Sequence, residues 1–418
     1  MAISVVAFNS FIGAGSAGAA TNAPLVVGDI WPYSGALAEY GLKSQAGCLA
    51  AAYVIKKAGG VLGHQITCAE VDDKGDSVDA VPVVEKFLST TGHLIGVSGP
   101  ETTTSLALAP LLDKAKVPWV SYTGSSYFNH QDSPYFYRMA LVDAVYGATL
   151  AYIAHIDHYK RVAVVLGANS GAADLHGGIV EALKKLGSPK LVLTLSLAVG
   201  QPSYSAEVAR VASARPTAII AELVPQSITT FFANLKSEYH LLPFITDATD
   251  LTIHVFQDLS KTVGKADVIK YLHSASSTVA VSGPGAVAYK AALNAIKSTY
   301  PSATQDFSTP QAQYTYTSVF YFALAMLEAH SANPKVFNRY IRKVTNPGRG
   351  KVTVRTYAAA AKEIAAGKQI HYLGLLGPVS FDKYGTSTPP LDEYTYRSNG
   401  TYGPSRSLPA TKIQPLVS

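Results

Sequence analysis

The chain is poor in several things, and each shortage removes a class of function. Cysteine occurs twice in 418 residues, as Cys48 and Cys68. Two are too few for a disulfide scaffold, and their spacing matches no zinc-ligand pattern. Charged residues make up only 15% against 48% apolar, the balance of a well-packed globular protein and not of a disordered one. No apolar run reaches the 18 residues that a membrane-crossing helix needs. The net charge of +6 (pI about 9.0) is modest and scattered. No basic run interleaved with aromatics marks a nucleic-acid face, so no nucleic-acid partner is expected. No G-x-S-x-G elbow, Walker A loop, H-E-x-x-H or C-x-x-C is present. Nothing assembles a nucleophile, a base and an oxyanion donor, so an enzyme is disfavoured and no cofactor or metal is expected.

One stretch does spell a cofactor motif. In "SFIGAGSAGAA", Gly13, Gly15 and Gly18 read G-x-G-x-x-G behind an apolar run. That fingerprint works only between a strand and a helix, whose N-terminus then meets a pyrophosphate. Here Asn22 and Pro24 follow, which break a helix, and a strand comes next. The apolar stretch from Ala2 to Ile12, ending in small residues, reads instead as an export signal lacking its usual basic start. The expected location is therefore extracytoplasmic, in the periplasm. Export permits a Cys48–Cys68 disulfide between a helix and a neighbouring strand; a pair of small buried residues is the other reading, and both stay open.

From Pro24 onward short β-branched runs alternate with longer helical patterns. "LVVGDI" is a strand, and "YGLKSQAGCLAAAYVIKKAGG" a helix of about five turns closed by Gly59-Gly60. "QITCAEV", "HLIGVSG" and "VPWVSY" continue the strands. A second series opens near Tyr159 with "RVAVVLG", then "KLVLTLSL", "TAIIAELV" and "LPFITDA", again separated by helices. Strand–helix repetition of this kind gives parallel sheets with helices on both faces, here twice over. The turn-rich tail, with "YTYRSNGTY", suggests a closing hairpin. His155 and His158 near a helix end read as surface or capping residues. The acids of "VDDKGD" (Asp72, Asp73, Asp76) hint at calcium, but Asp76 is a good N-cap for the following helix, and that reading is preferred.

Two hydroxyl-rich loops remain, "GPETTTS" and "SYTGSS", at the ends of neighbouring strands. Ligands of open parallel sheets sit outside the carboxyl ends of the strands, and a helix N-terminus with free N–H groups suits a carboxylate.

These stretches resemble a known family. "P-x-S-G-x-x-A-x-Y-G" (Pro32 to Gly41), "AGGVLGHQITCAEVDDKGD" (Ala58 to Asp76), "GPETTTSLALAPLLDKAKVPWVSYTGSS", "NPGRGKV" and "AAGKQIHYLGLLGPVSFDKYG" are similar, in order, to the leucine/isoleucine/valine-type substrate-binding proteins of ABC transporters. The resemblance implies an α/β fold of two Rossmann-like, doubly wound lobes joined by a three-segment hinge, the type I periplasmic binding protein. A leader over 1–23 would precede a first lobe of 24–140 plus 283–372 and a second of 141–282 plus 373–418. It implies a monomer that closes on a small carboxylate-bearing ligand, an amino acid or a related or aromatic acid, and delivers it to ABC permease membrane subunits. A ligand-sensing receptor of the same fold is the alternative; repressor effector domains share it, but no helix-turn-helix is attached.

Carried over residue by residue, Thr102 and its neighbour Thr103 would grip the carboxylate. Thr123 would offer a carbonyl, Ser125 a hydroxyl and an N–H, and Tyr40 would flank the ligand's side chain. In the second lobe "GANSGAAD" puts Ser170 or Gly171 where the family often has an aromatic, and Val224 stands at another aromatic position. Asp247 and Asp250 are the candidates for the acid facing an ammonium.

Overall fold

The first strand shows why the sequence folds as it does. A computed structural model describes residues 22–35, 37–168, 171–247, 251–277, 282–301 and 309–417. β1 (Leu25–Trp31) is buried at six of its seven positions, as a parallel strand covered by helices on both faces must be. The chain continues through α1 (Ala38–Lys57), β2 (Ile66–Asp72), α2 (Ser77–Thr90), β3 (Leu94–Glu101), α3 (Thr102–Ala115), β4 (Trp119–Tyr122) and β5 (Phe136–Arg138). These strands make one all-parallel sheet in the order β2-β1-β3-β4-β5. Beyond the end of α1 both Gly59 and Gly60 take positive φ, and a Cβ on Gly60 would meet the His64 carbonyl at 2.4 Å.

The second lobe starts with α4 (Asp143–Ile156), followed by β6 (Arg161–Gly167), α5 (Ala172–Leu186), β7 (Lys190–Leu197), α6 (Ser205–Ala214), β8 (Ala218–Glu222), α7 (Pro225–Glu238) and β9 (Phe244–Thr246). After α8 (Ile253–Val263) and α9 (Lys265–Tyr271) comes β10 (Leu272–Ser277). The chain then returns to the first lobe with α10 (Gly283–Ile296), α11 (Pro310–Ala329), α12 (Pro334–Thr345), β11 (Val352–Val354), α13 (Tyr357–Ala365) and β12 (Ile370–Tyr372). It crosses a third time to place β13 (Leu391–Tyr396) and β14 (Tyr402–Leu408) on the edge of the second sheet. That sheet runs β14-β13-β10-β9-β8-β6-β7, parallel except for the two edge strands, which form the antiparallel hairpin expected of "YTYRSNGTY".

Residues 373–387 stay with the first lobe. Leu375, Leu376, Val379 and Phe381 lie in its core, and the Arg138 N–H donates to the Gly385 carbonyl at 2.7 Å. α11 is buried at every position from Pro310 to Met326, as a helix through the centre of a core must be. It meets α1 at backbone distance, since a Cβ on Gly47 would lie 2.0 Å from the Ala312 carbonyl. α4 and α5 approach as closely, through Gly147 against Leu175 and Gly178 against Ala144.

The two cysteines are joined, Cys48 on α1 to Cys68 on β2, with their Cα atoms 6.1 Å apart. The "VDDKGD" acids are structural. Asp76 caps α2, accepting from the N–H groups of Val78 (2.8 Å) and Asp79 (3.1 Å). Asp72 accepts from Tyr33 and Ser34, and Asp73 from Thr104 and Gly75. His155 Nδ1 bonds to Ser188. The export-signal stretch lies outside the described residues.

Candidate functional site

The strand ends of both sheets open onto one cleft, which holds a cavity of about 150 Å³. At the 10–15 Å³ that a water-sized group needs on this measure, it has room for roughly ten heavy atoms. Its first wall is built where β3 runs into α3. The β3–β4 register slips between Ser98 and Glu101, and such an irregularity re-aims the side chain at a strand end. Gly99 makes it feasible with φ +95°, where a Cβ would lie 2.0 Å from the Ile30 carbonyl. Glu101 follows at 6% exposure. Its Oε2 caps α3, accepting from the Thr103 N–H (2.8 Å) and Thr103 Oγ1 (3.0 Å), while Oε1 is buried without a hydrogen-bond partner. Burial pushes this carboxyl up to about 7, against the opposing pull of Thr103.

Thr102 ties the two hydroxyl-rich loops together, its Oγ1 accepting from the Gly124 N–H at 2.9 Å. Asp143, the first residue of α4, then locks onto the same loop by donating its N–H to the Gly124 carbonyl at 2.7 Å. Its carboxylate lies over two glycines. A Cβ on Gly124 would be 1.7 Å from Oδ1, and one on Gly171 2.8 Å from Oδ2. The residue is half-buried, but Oδ2 itself is shielded and has no hydrogen-bond partner among the described residues. Burial, then the neighbouring Asp174 charge, push this carboxyl up to about 8, with Arg138 pulling the other way.

The second wall comes from Gly171, Leu175, Glu222, Val224, Asp247, Ser276 and Ser277. Tyr122 and Tyr314 stack edge to face at 4.9 Å between centroids, and both line the cavity with Tyr40 and Tyr146. Besides Asp143 N–H to Gly124, hydrogen bonds that span the lobes include the Ser126 N–H to Asp174 Oδ2 (2.9 Å) and Tyr314 OH to Ser277 Oγ (2.9 Å). Four carboxylates (Glu101, Asp143, Glu222 and Asp247) face the cavity, and among the described residues no Lys, Arg or His does. Arg138, the cation that acts on Asp143, is fully buried behind the loop and bonds to the Ser125 carbonyl, Asn129 and Thr386.

Of the residues expected from sequence, Tyr40, Thr102, Thr103 and Asp247 line the cavity. Thr123 and Ser125 do not. Thr123 is fully buried, its hydroxyl accepting from Ser105 Oγ and the Ser125 N–H. Ser125, 8% exposed, receives the Tyr127 N–H on its hydroxyl and Arg138 on its carbonyl. Both brace the loop from behind, and Gly124 between them is the residue that reaches the cavity. Ser170 and Asp250 lie outside the described residues. Gly171 and Val224 line the second wall, and the space beside Gly171 is closed by Thr102 Cγ2 at 3.6 Å, so no aromatic fits there. Glu101, Asp143 and Glu222 escaped the sequence reading. Glu101 carried a signal, an acid directly before a hydroxyl run at a strand end, but it reads first as a helix opener.

Residues 24–386 match the family described as periplasmic binding protein. The branched-chain amino acid transporter substrate-binding protein LivJ of Streptococcus pneumoniae, solved with isoleucine, superposes with a TM-score of 0.71 at 19% identity, over 92% of this chain and 99% of that one. A leucine-binding protein of Thermotoga maritima gives 0.71 at 17%, over 93% and 99%. An ABC-transporter solute-binding protein of R. palustris, in complex with benzoate, gives 0.71 at 13%, over 92% and 96%. At such identities the likeness is one of fold. No curated protein matches the chain in sequence. The family match shows that this chain belongs to the periplasmic binding protein family, and the two doubly wound lobes with the cleft between their strand ends show its type I fold.

Proposed function

We propose that the protein works outside the cytoplasm as a monomeric substrate-binding subunit. It takes a small amino-acid-like ligand between its lobes and hands it to ABC permease subunits without chemical turnover. The observation that carries this reading is the cavity itself. It is sized for about ten heavy atoms, and one wall is a helix N-terminus bearing Thr102 and Thr103, a setting for a carboxylate. The opposite wall carries Asp247, a partner for an ammonium. The neighbours solved with isoleucine and benzoate support a small organic ligand of this size. The Cys48–Cys68 disulfide supports an oxidising compartment. The hinge is taken to be the three passages between β5 and α4, between β10 and α10, and between Ser387 and β13, so that residues 373–387 move with the first lobe. Closure is driven by contacts that both lobes make only when the ligand is present.

The test is a thermal-unfolding screen of amino acids, amides and aromatic acids against the purified protein. A cognate ligand at a hundredfold excess over its Kd adds about 2.7 kcal/mol to the folded state. Folded protein with no response to any member of the panel contradicts the reading.

A further inference from the structure

Charge is the least ordinary feature of this cavity. Four carboxylates line it, no described cationic side chain does, and a ligand with a single negative charge would bring a fifth anion into a half-closed space. Two of the four also have an oxygen that no described residue satisfies. Glu101 Oε1 is buried in a residue only 6% exposed, and Asp143 Oδ2 is shielded across the cleft. A buried polar atom left without a partner is destabilising, and the two residues that carry these oxygens line the cavity, so a small turn of either carboxylate would present its oxygen to a ligand's N–H groups. The surrounding backbone makes room for the Asp143 carboxylate at the cavity wall. Glycine stands at both positions, 124 and 171, where a Cβ would collide with the Asp143 carboxylate.

From this we infer that the ligand is a net cation with at least two protonated nitrogens, such as a basic amino acid or an aliphatic diamine, and that Glu101 is the specificity-determining residue that receives one of them together with Asp143. The inference rests on the trap reading above and narrows its substrate class. Glu222 and Asp247, at the ends of the adjacent strands β8 and β9, stand on the second wall for the other nitrogen. The four tyrosines, Tyr40, Tyr122, Tyr146 and Tyr314, add ring faces that favour a cation over an anion. A lone carboxylic acid such as benzoate gains nothing from Glu101 or Asp143. A neutral amino acid occupies at most one of the two acidic ends. Burial is the first cause of the raised proton affinity of Glu101 and Asp143, and a cation bound beside them would favour their charged forms.

The experiment is isothermal titration at pH 8 with four probes: L-lysine, its isostere L-norleucine, 1,5-diaminopentane and benzoate. They are tried on the intact protein and on Glu101→Gln and Asp143→Asn. Glutamine keeps an oxygen to cap α3, and melting curves confirm that each variant is folded. The inference predicts that lysine or diaminopentane binds at least tenfold tighter than norleucine or benzoate. Glu101→Gln is expected to weaken the cation at least tenfold while moving norleucine less than about twofold. If norleucine or benzoate binds as tightly as the cations, or Glu101→Gln leaves the cation within twofold, the inference is overturned and the trap reading survives. If folded protein binds none of the four, and the broader panel is silent too, both fall together.

Discussion

The two walls of the cleft are built by different rules. On the first wall consecutive residues do the work: Glu101, Thr102 and Thr103 follow one another across a strand–helix junction, and Gly124 is joined to Thr102 by a single hydrogen bond. On the second wall the contributors come from four strand ends: Gly171 after β6, Glu222 and Val224 at β8, Asp247 after β9 and Ser277 at β10. A wall made from one motif keeps its spelling, because changing any member disturbs the backbone contacts of the others. A wall of separate strand ends lets single positions change without disturbing the backbone contacts of a neighbouring motif. Val224, at the N-cap of α7, and Gly171, at the N-cap of α5, are such positions.

The lobes behind the walls also differ. The first is stapled by Cys48–Cys68; the chain has no other cysteine. The bridge closes a loop of 20 residues, and removing it is expected to destabilise the first lobe by about 3 kcal/mol. Scanning calorimetry of a Cys48→Ser, Cys68→Ser variant should show one transition moving down while the second lobe's stays. Equal loss in both lobes would show that they unfold as one unit and break the comparison.

A smaller effect comes from pH. Glu101 and Asp143 have folded-state values raised to about 7 and about 8 from ordinary values of 4.5 and 3.8. The folded state therefore holds protons that the unfolded chain has already lost. The stability they contribute is full below about pH 4 and falls as pH rises toward 8. Other charges face them: Asp73 faces Glu101, while Asp174, Arg138, Asp247 and Glu101 face Asp143. Of these only Arg138 works against the trend. The ligand-free protein should lose stability steadily over that range, and Glu101→Gln should flatten the slope. Urea unfolding at a series of pH values measures it, and an unchanged slope in the variant would contradict the assignment.

How far the sequence could be read follows the same division. The strands of both lobes announce themselves through β-branched runs such as "RVAVVLG", and the Asp76 cap and the Gly59-Gly60 stop are local signals that the structure repeats. The first-wall residues Thr102 and Thr103 were legible because they lie in one hydroxyl-rich loop. Thr123 and Ser125 belong to the equally legible second loop, yet face away from the cavity. Which members of a loop turn inward is decided by partners far off in sequence, here Ser105 and Arg138. Asp143 was not legible for the same reason: its role depends on glycines 124 and 171, which stand 19 residues before it and 28 after it. Whether the two cysteines pair is likewise a matter of distance between α1 and β2, which spacing alone leaves open.

The claim that both walls grip one ligand is tested most directly by titrating the best ligand of the panel into Thr102→Ala and, separately, Asp247→Asn. Charge-assisted hydrogen bonds are worth roughly 1.5–3 kcal/mol, so each variant should bind at least about tenfold more weakly while melting normally. A cleft in which either variant binds within twofold of the parent would hold its ligand on one lobe only, and the account of a closing trap would be wrong.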